Sequence, residues 1–176
     1  MATLYPFRAL RPRPSLAAAI AAVPYDVVNV EEARGLAEGH ALSFLHVSRA
    51  EIDLPAGTDV YSDAVYARAA ENYAQLTHDA FELEAEPSLY FYRLRMGAHV
   101  QLGLAGCFSI DEYDRDIIKK HERTRRDKED DRTRHMRALG AQTGPVFLTY
   151  RASADITSLA AQATSDAPLI DFVAPD

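Results

Sequence analysis

The stretch Ile117–Gly140, IIKKHERTRRDKEDDRTRHMRALG, holds the densest set of chemically useful side chains in the chain. Its Lys119–Arg137 portion carries nine of the 19 basic residues and five of the 26 acidic ones, a local net charge of +4. The total is −7, so the remainder carries −11. An anion site, if the chain has one, belongs here. On a helix, His121, Thr124, Lys128, Asp131 and His135 step by 3, 4, 3 and 4 and share one stripe. Arg125 and Arg132 form a neighbouring guanidinium row. Arginine offers paired donors and lysine a compact charge, which is the chemistry phosphate recognition needs. A helix start near His121 would add backbone donors and a favourable dipole.

The same stretch has a plainer reading as a solvated helix. Glu122–Arg126, Arg125–Glu129 and Arg126–Asp130 are opposite charges at i,i+4, each adding only about 0.2–0.5 kcal/mol. Taken alone, the charge pattern fits that helix better than it fits a site. A metal shared by His121, Asp131 and His135 is excluded on one continuous helix, where fourteen residues rise about 21 Å.

A second candidate lies in VPYDVV, where Tyr25 and Asp26 follow a proline. A carboxylate on such a turn can act as a general base, or can simply bond to amides of its own turn. In SFLHV, read as a strand, Ser43 and His46 fall on opposite faces and make no nucleophile–base pair. Arg8 and Arg11 could reach an anion but lie near a terminus. Tyr90, Phe91 and Tyr92 alternate on a strand and read as packing. Cys107, the single cysteine, lies in an apolar strand and reads as a buried, inert thiol. No Walker loop, dinucleotide glycine fingerprint or Cys/His cluster is present.

The elements that must position these residues follow from pattern. Ser15–Val23 reads as an alanine-rich helix, VEEARGLAEG as a helix closed by Gly39, and residues 59–81 as a longer helix capped by Asp59. SLYFYRLR and HVQLGLAGCFSI, joined by MGA, read as an antiparallel hairpin. Ile110–Tyr113 leads into the charged helix, which Gly140 or Gly144 ends. PVFLTY and APLIDFV read as strands, with a short helix over DITSLAAQAT between them. The expected class is α+β, with a central antiparallel or mixed sheet, several helices and one long charged helix, in a single unit spanning 1–176.

Composition bounds the function. At 48% hydrophobic and 26% charged, the chain is an ordinary globular protein with material for a core. A net charge of −7 argues against general nucleic-acid binding, which depends on neutralising phosphates. One cysteine permits no internal disulfide, and neither a signal segment nor an apolar run of membrane-spanning length is evident. A cytoplasmic location without membrane partners is the expectation.

HERT followed by KEDDR, with VPYDVV, SFLHV, LYFYRLR and GPVFLTY in order from Tyr5 to Tyr150, resembles the family catalogued as domain of unknown function 1015. Members of that family are usually longer. Their second half carries an ADGHHR-type segment similar to the phosphate-binding motif of the ParB and sulfiredoxin-like superfamily, which includes a free-serine kinase. No such segment stands in this chain, so the resemblance casts it as an N-terminal half. What it implies is a small-molecule phosphotransferase or phosphohydrolase acting on serine or O-phosphoserine, with a nucleotide or phosphate involved. Asp26 and Glu122 would then be catalytic. Tyr25, His46, His121, Arg123, Thr124, Lys128 and Arg132 would bind phosphate or substrate, with no protein-held metal. A nucleotide, with or without Mg2+, is the cofactor so implied. The alternative is a non-enzymatic nucleotide- or phosphate-binding module, or a fragment without activity of its own.

Overall fold

A computed structural model describes residues 2–121 and 124–174. It is α+β, and its described elements run β1 (Leu4–Tyr5), β2 (Leu10–Pro12), α1 (Ala17–Ile20), α2 (Val30–Ala37), α3 (Leu45–Ser48), α4 (Asp63–Ala80), β3 (Phe81–Leu83), β4 (Tyr90–Met96), β5 (His99–Ala105), β6 (Cys107–Phe108), α5 (Ile110–Asp114), α6 (Arg126–Leu139) and α7 (Ala154–Ala163). The 3-10 turns Pro14–Leu16 and Ala50–Asp53 precede α1 and follow α3. Contacts group the chain into two compact units. The first comprises residues 2–11, 83–121 and 148–169, and the second residues 12–82, 124–147 and 170–174.

The second unit holds every buried residue among those described. Its helices form for local reasons. Asn29 caps α2 by accepting from the amides of Glu31 and Glu32, while the Glu32 carboxylate accepts from the Asn29 amide. That reciprocal box satisfies amides the helix start would otherwise leave open. Gly39 follows α2 at φ 75°, a left-handed conformation that favours glycine. In α4, Val65, Tyr66, Ala69, Leu76 and Ala80 turn one stripe inward. Val47 and Leu76 pack with Ile20 and Ala80, and Leu45 packs with Ala33, Ala37 and Ile52.

Helix α6 packs on α4 in an unusual way. Its buried residues are Asp131 and His135, one turn apart, and not an apolar stripe. Hydrogen bonds therefore carry the attachment, and Leu139 inserts its side chain into the apolar clusters at the end. Gly140, at φ 64°, stops the helix.

The first unit is built on the hairpin. β4 and β5 pair antiparallel from Tyr90↔Ala105 to Met96↔His99, with Gly97 at φ 57° in the turn, as the alternating pattern predicts. β1 pairs with β6 through Leu4↔Phe108 and Tyr5↔Cys107. The Tyr90 hydroxyl bonds to the Phe7 carbonyl and the Ala9 amide, and the Phe7 and Tyr90 rings meet edge to face at 5.1 Å.

Several expectations are corrected. The charged stretch is not one helix. After α5 the chain breaks at Asp116, a non-glycine residue at φ 60°, and α6 begins only at Arg126. Electrostatics favours that start. Lys119, Lys120 and His121 would set positive charge on the positive end of a helix, whereas Asp127 and Glu129 occupy the first turn of α6. The SFLHV segment is helical rather than extended. The Ser43 carbonyl accepts from the His46 amide, and the Ser43 hydroxyl accepts from the Leu45 amide. Short apolar runs are ambiguous by periodicity, and tertiary packing decides them. PVFLTY and APLIDFV form no strand among the described residues. The β structure among the described residues consists of two-stranded antiparallel ladders. Ser62, not Asp59, precedes α4, and the Asp59 carboxylate accepts from the Tyr61 amide instead. Cys107 is exposed.

Candidate functional site

A cleft of about 70 Å³ opens within the second unit. Tyr25 reaches it from the turn after α1, and the chain around Ala50 supplies Arg49 and Glu51. The loop before α4 supplies Tyr61, α4 supplies Tyr66, and α6 supplies Lys128, Asp131, Arg132 and His135. On α6, Lys128, Asp131 and His135 are spaced 3 and 4 apart, so one face turns into the cleft.

Asp131 organises the site. Its Oδ1 accepts from the Tyr66 hydroxyl at 2.7 Å, and its Oδ2 accepts from Arg132 Nε and Nη2 at 3.0 and 2.7 Å. The Arg132 guanidinium also lies 4.0 Å from the Tyr25 ring centre. It is thus held on one side by a carboxylate and on a face by an aromatic ring. Its Nη1 has no hydrogen bond among the described residues and remains available. Arg49 donates from Nη1 to the Tyr25 carbonyl at 3.2 Å and places Nε 2.8 Å from Glu51 Oε1. Lys128 Nζ stands 3.5 Å from the Tyr61 hydroxyl, at the outer limit of a hydrogen bond, and no carboxylate among the described residues lies within ion-pair distance of it. Arg134 points elsewhere, to the Tyr61 carbonyl and Asp63, with its guanidinium 4.2 Å from the Tyr66 ring centre.

Two groups in the cleft have displaced titrations. Burial pushes the Tyr66 phenol up, and its bond to Asp131 and the charge of that carboxylate push it further. Tyr66 is therefore a fixed donor and not a base. Burial holds the His135 imidazole below its ordinary value, and the nearby Arg132 charge adds to the effect against the opposing bond to Val47. Neutral His135 donates Nε2–H to the Val47 carbonyl at 2.9 Å and pins α6 to α3.

A pH effect follows from that depression. The unfolded chain takes up a proton at His135 near the ordinary value of about 6.5, and the folded chain only below it. The contribution is complete above that value and declines as the pH falls through it toward the lowered folded value. Urea denaturation between pH 7.5 and 5 is expected to show a steeper loss of stability for the native chain than for His135→Gln, which keeps a donor without titrating. Parallel profiles would refute the assignment.

Of the residues singled out from sequence, Tyr25, Lys128 and Arg132 come together in this cleft. Asp26 is exposed in the turn beside Tyr25 and does not line it. Thr124 is exposed and precedes α6. His46 lies outside the lining. Its Nδ1 pairs with Asp53 Oδ1 at 2.8 Å, Asn72 Nδ2 donates to Asp53 Oδ2, and the same nitrogen donates to the His46 carbonyl. That network ties α3 and the following 3-10 turn to α4. His121 belongs to the first unit. Glu122 and Arg123 lie outside the described residues.

Sequence reasoning missed Arg49, Glu51, Tyr61 and Tyr66 as lining residues, and it kept Asp131 and His135 on the stripe without assigning them to the site. The available signal was the polar pair Asp131 and His135 at i,i+4, in line with the apolar Leu139 at the next turn.

The family whose description reads "Protein of unknown function (DUF1015)" matches residues 4–176, nearly the whole chain. The chain belongs to the DUF1015 family. Neither the curated proteins nor the solved structures yield a match. Among the described residues of this DUF1015 chain, no group of three or more His, Cys, Asp or Glu is arranged to hold a metal, and no helix is long and apolar enough to cross a membrane.

Chemically, the cleft offers more to an anion than to a proton in transit. Among the described residues Arg132 Nη1 has no hydrogen bond, and Lys128 Nζ has only the long contact to Tyr61. Both of its carboxylates are committed, Asp131 to Tyr66 and Arg132, and Glu51 to Arg49.

Proposed function

We propose that this DUF1015 chain supplies the phosphate-binding part of a small-molecule phosphotransferase or phosphohydrolase, with Lys128, Arg132 and Arg49 as its cations. The observation that carries the reading is the state of Arg132. Its guanidinium is immobilised between Asp131 and the Tyr25 ring, and neither its Nη1 nor the neighbouring Lys128 has a carboxylate within ion-pair distance among the described residues. Side-chain entropy has been lost on folding, so less is lost when an anion binds. Phosphoryl transfer depends mainly on positioning and charge neutralisation, which such a site supplies.

Size narrows the ligand. A single water needs about 10–15 Å³ of such space, so a cleft of about 70 Å³ admits a small group such as a phosphoryl and leaves the rest of a larger molecule outside. O-phosphoserine and a nucleotide entering by its terminal phosphate are the first ligands to try, on the strength of the family resemblance. Any Mg2+ would then come with the nucleotide.

Calorimetric titration with inorganic phosphate, O-phosphoserine and ATP tests the proposal. Arg132→Ala is expected to weaken phosphate binding about tenfold or more, because a charge-assisted hydrogen bond contributes about 1.5–3 kcal/mol. Lys128→Ala should weaken it less, since its single charge is solvated. Equal affinities in all three proteins would refute the site. Because both carboxylates of the cleft are committed, a second reading has support: a module that binds phosphate without turning it over. Phosphate release from O-phosphoserine or ATP separates the two, and binding without release selects the module.

A further inference from the structure

The cations of the cleft stand at two depths. Asp131 and Glu51 are buried, and each holds one arginine beside it, Arg132 and Arg49 respectively. Those two arginine side chains are 28% and 18% exposed. Lys128 lies one turn before Arg132 on the same face of α6, about 6 Å along the axis. Of the described residues that line the cleft, Lys128 and Tyr61 are the exposed ones, and they meet at 3.5 Å between Nζ and the hydroxyl. Two half-buried guanidinium groups therefore stand inside, with an ammonium and a phenol at the mouth.

We propose, resting on the phosphate-binding role given to the cleft above, that its ligand is a phosphoanhydride. The terminal phosphoryl sits between Arg132 and Arg49, and the next phosphoryl meets Lys128 at the mouth. A cleft of about 70 Å³ admits the first of these groups and leaves the second outside, where Lys128 adds a point charge and the Tyr61 hydroxyl a donor. Nucleoside diphosphates and triphosphates share this chemistry with inorganic pyrophosphate.

A phosphate monoester of an amino acid fits the mouth less well. Beyond its ester oxygen it carries an ammonium as well as a carboxylate. The acidic residues of the lining are both engaged, Asp131 by Tyr66 and Arg132, and Glu51 by Arg49. The ammonium would find no free carboxylate in the lining, and Lys128 would repel it. A second phosphoryl brings an anion to the same place with no cation attached.

Calorimetric titration of the whole chain with inorganic phosphate, pyrophosphate, ADP and O-phosphoserine tests this. The native chain is expected to bind pyrophosphate about fivefold or more tighter than phosphate, and O-phosphoserine no tighter than phosphate. Pyrophosphate carries more charge and gains at any cationic surface, so the variants decide. Lys128→Gln should cut the preference for pyrophosphate about threefold or more, with a smaller change in phosphate affinity. Arg137→Gln, which removes an exposed charge from the last turn of α6, should leave the preference unchanged. Arg132→Ala should weaken both ligands alike. ADP bound more tightly than pyrophosphate assigns the mouth to a nucleotide, and equal affinities assign it to the inorganic diphosphate. Equal affinity for phosphate and pyrophosphate, O-phosphoserine bound more tightly than pyrophosphate, or the same loss of preference in the Lys128 and Arg137 variants would overturn the phosphoanhydride and leave the phosphate site standing. Absence of phosphate binding by the native chain would overturn both.

Discussion

Leu45→Ala is expected to lower the free energy of unfolding by about 3 kcal/mol, within the usual span of about 2–5 kcal/mol for such truncations in a core. Leu45 is 2% exposed and packs against Ala33, Ala37 and Ile52. Two of those neighbours are alanines, whose side chains cannot move to fill the space, so most of the cavity would persist. The helix that carries Leu45 spans only Leu45–Ser48 and has no stability apart from its packing. The consequence reaches the site, because the same segment places Arg49, Glu51 and the Val47 carbonyl that receives His135. Urea denaturation should show a lower midpoint, and phosphate affinity should fall in parallel. A loss below about 1 kcal/mol would mean that the site collapses on truncation, contrary to the packing described.

Asp131→Ala is expected to cost a similar amount, about 3 kcal/mol, for a different reason. The carboxylate is nearly buried and accepts three hydrogen bonds, one from Tyr66 and two from Arg132. Its removal leaves the Tyr66 hydroxyl and a partly buried guanidinium without their partner, and breaking such a pair from one side costs about 3–5 kcal/mol when both members are buried. Arg132 retains some exposure, which holds the expectation at the lower end. Tyr66→Phe should cost only about 1 kcal/mol, because Asp131 keeps its arginine. The double variant should then cost less than the sum of the two, since the hydroxyl that Asp131→Ala strands is already gone. Additive losses would show that Tyr66 and Asp131 do not act on each other.

The two variants bear on function in different ways. In Leu45→Ala the cleft loses one wall through its foundation. In Asp131→Ala the cleft keeps its walls, but Arg132 is no longer oriented. Phosphate affinity should fall in both, and raising the stability of Asp131→Ala with an osmolyte should not restore it.

Much of this was legible in the chain because local chemistry was strong. The Gly39 stop after α2, the inward stripe of α4 and the alternation around Gly97 depend on neighbours in sequence, and the structure has them. SFLHV was misread because a run of only five residues is too short for its periodicity to separate strand from helix. Its helix is decided by Ser43 and by the packing of Leu45 and Val47, which are remote in sequence from their partners. The charged stretch was half legible. Lys128, Asp131 and His135 do share a helical face, as their spacing requires. His121 and Thr124 do not join it, because Asp116 and the basic run after it prevent a helix from passing through. Arg49 and Tyr66 could not be assigned to the cleft from sequence, since the approach of α4 and α6 depends on two polar groups burying each other's partners. PVFLTY is strand-like in composition, yet Val146 and Phe147 are 76% and 74% exposed. Composition makes a strand possible, and a neighbouring edge is still needed to form one.

The central claim is that an anion enters the cleft between Arg132, Lys128 and Arg49. The most direct measurement is a titration of the isotopically labelled chain with inorganic phosphate, followed by amide and arginine side-chain chemical shifts. The account requires saturable shifts at Arg49, Lys128 and Arg132, with the Arg132 side-chain signals among the most affected and the effect abolished in Arg132→Ala. Shifts that do not saturate, or that cluster instead around Arg115, Lys119 and Lys120, would contradict it.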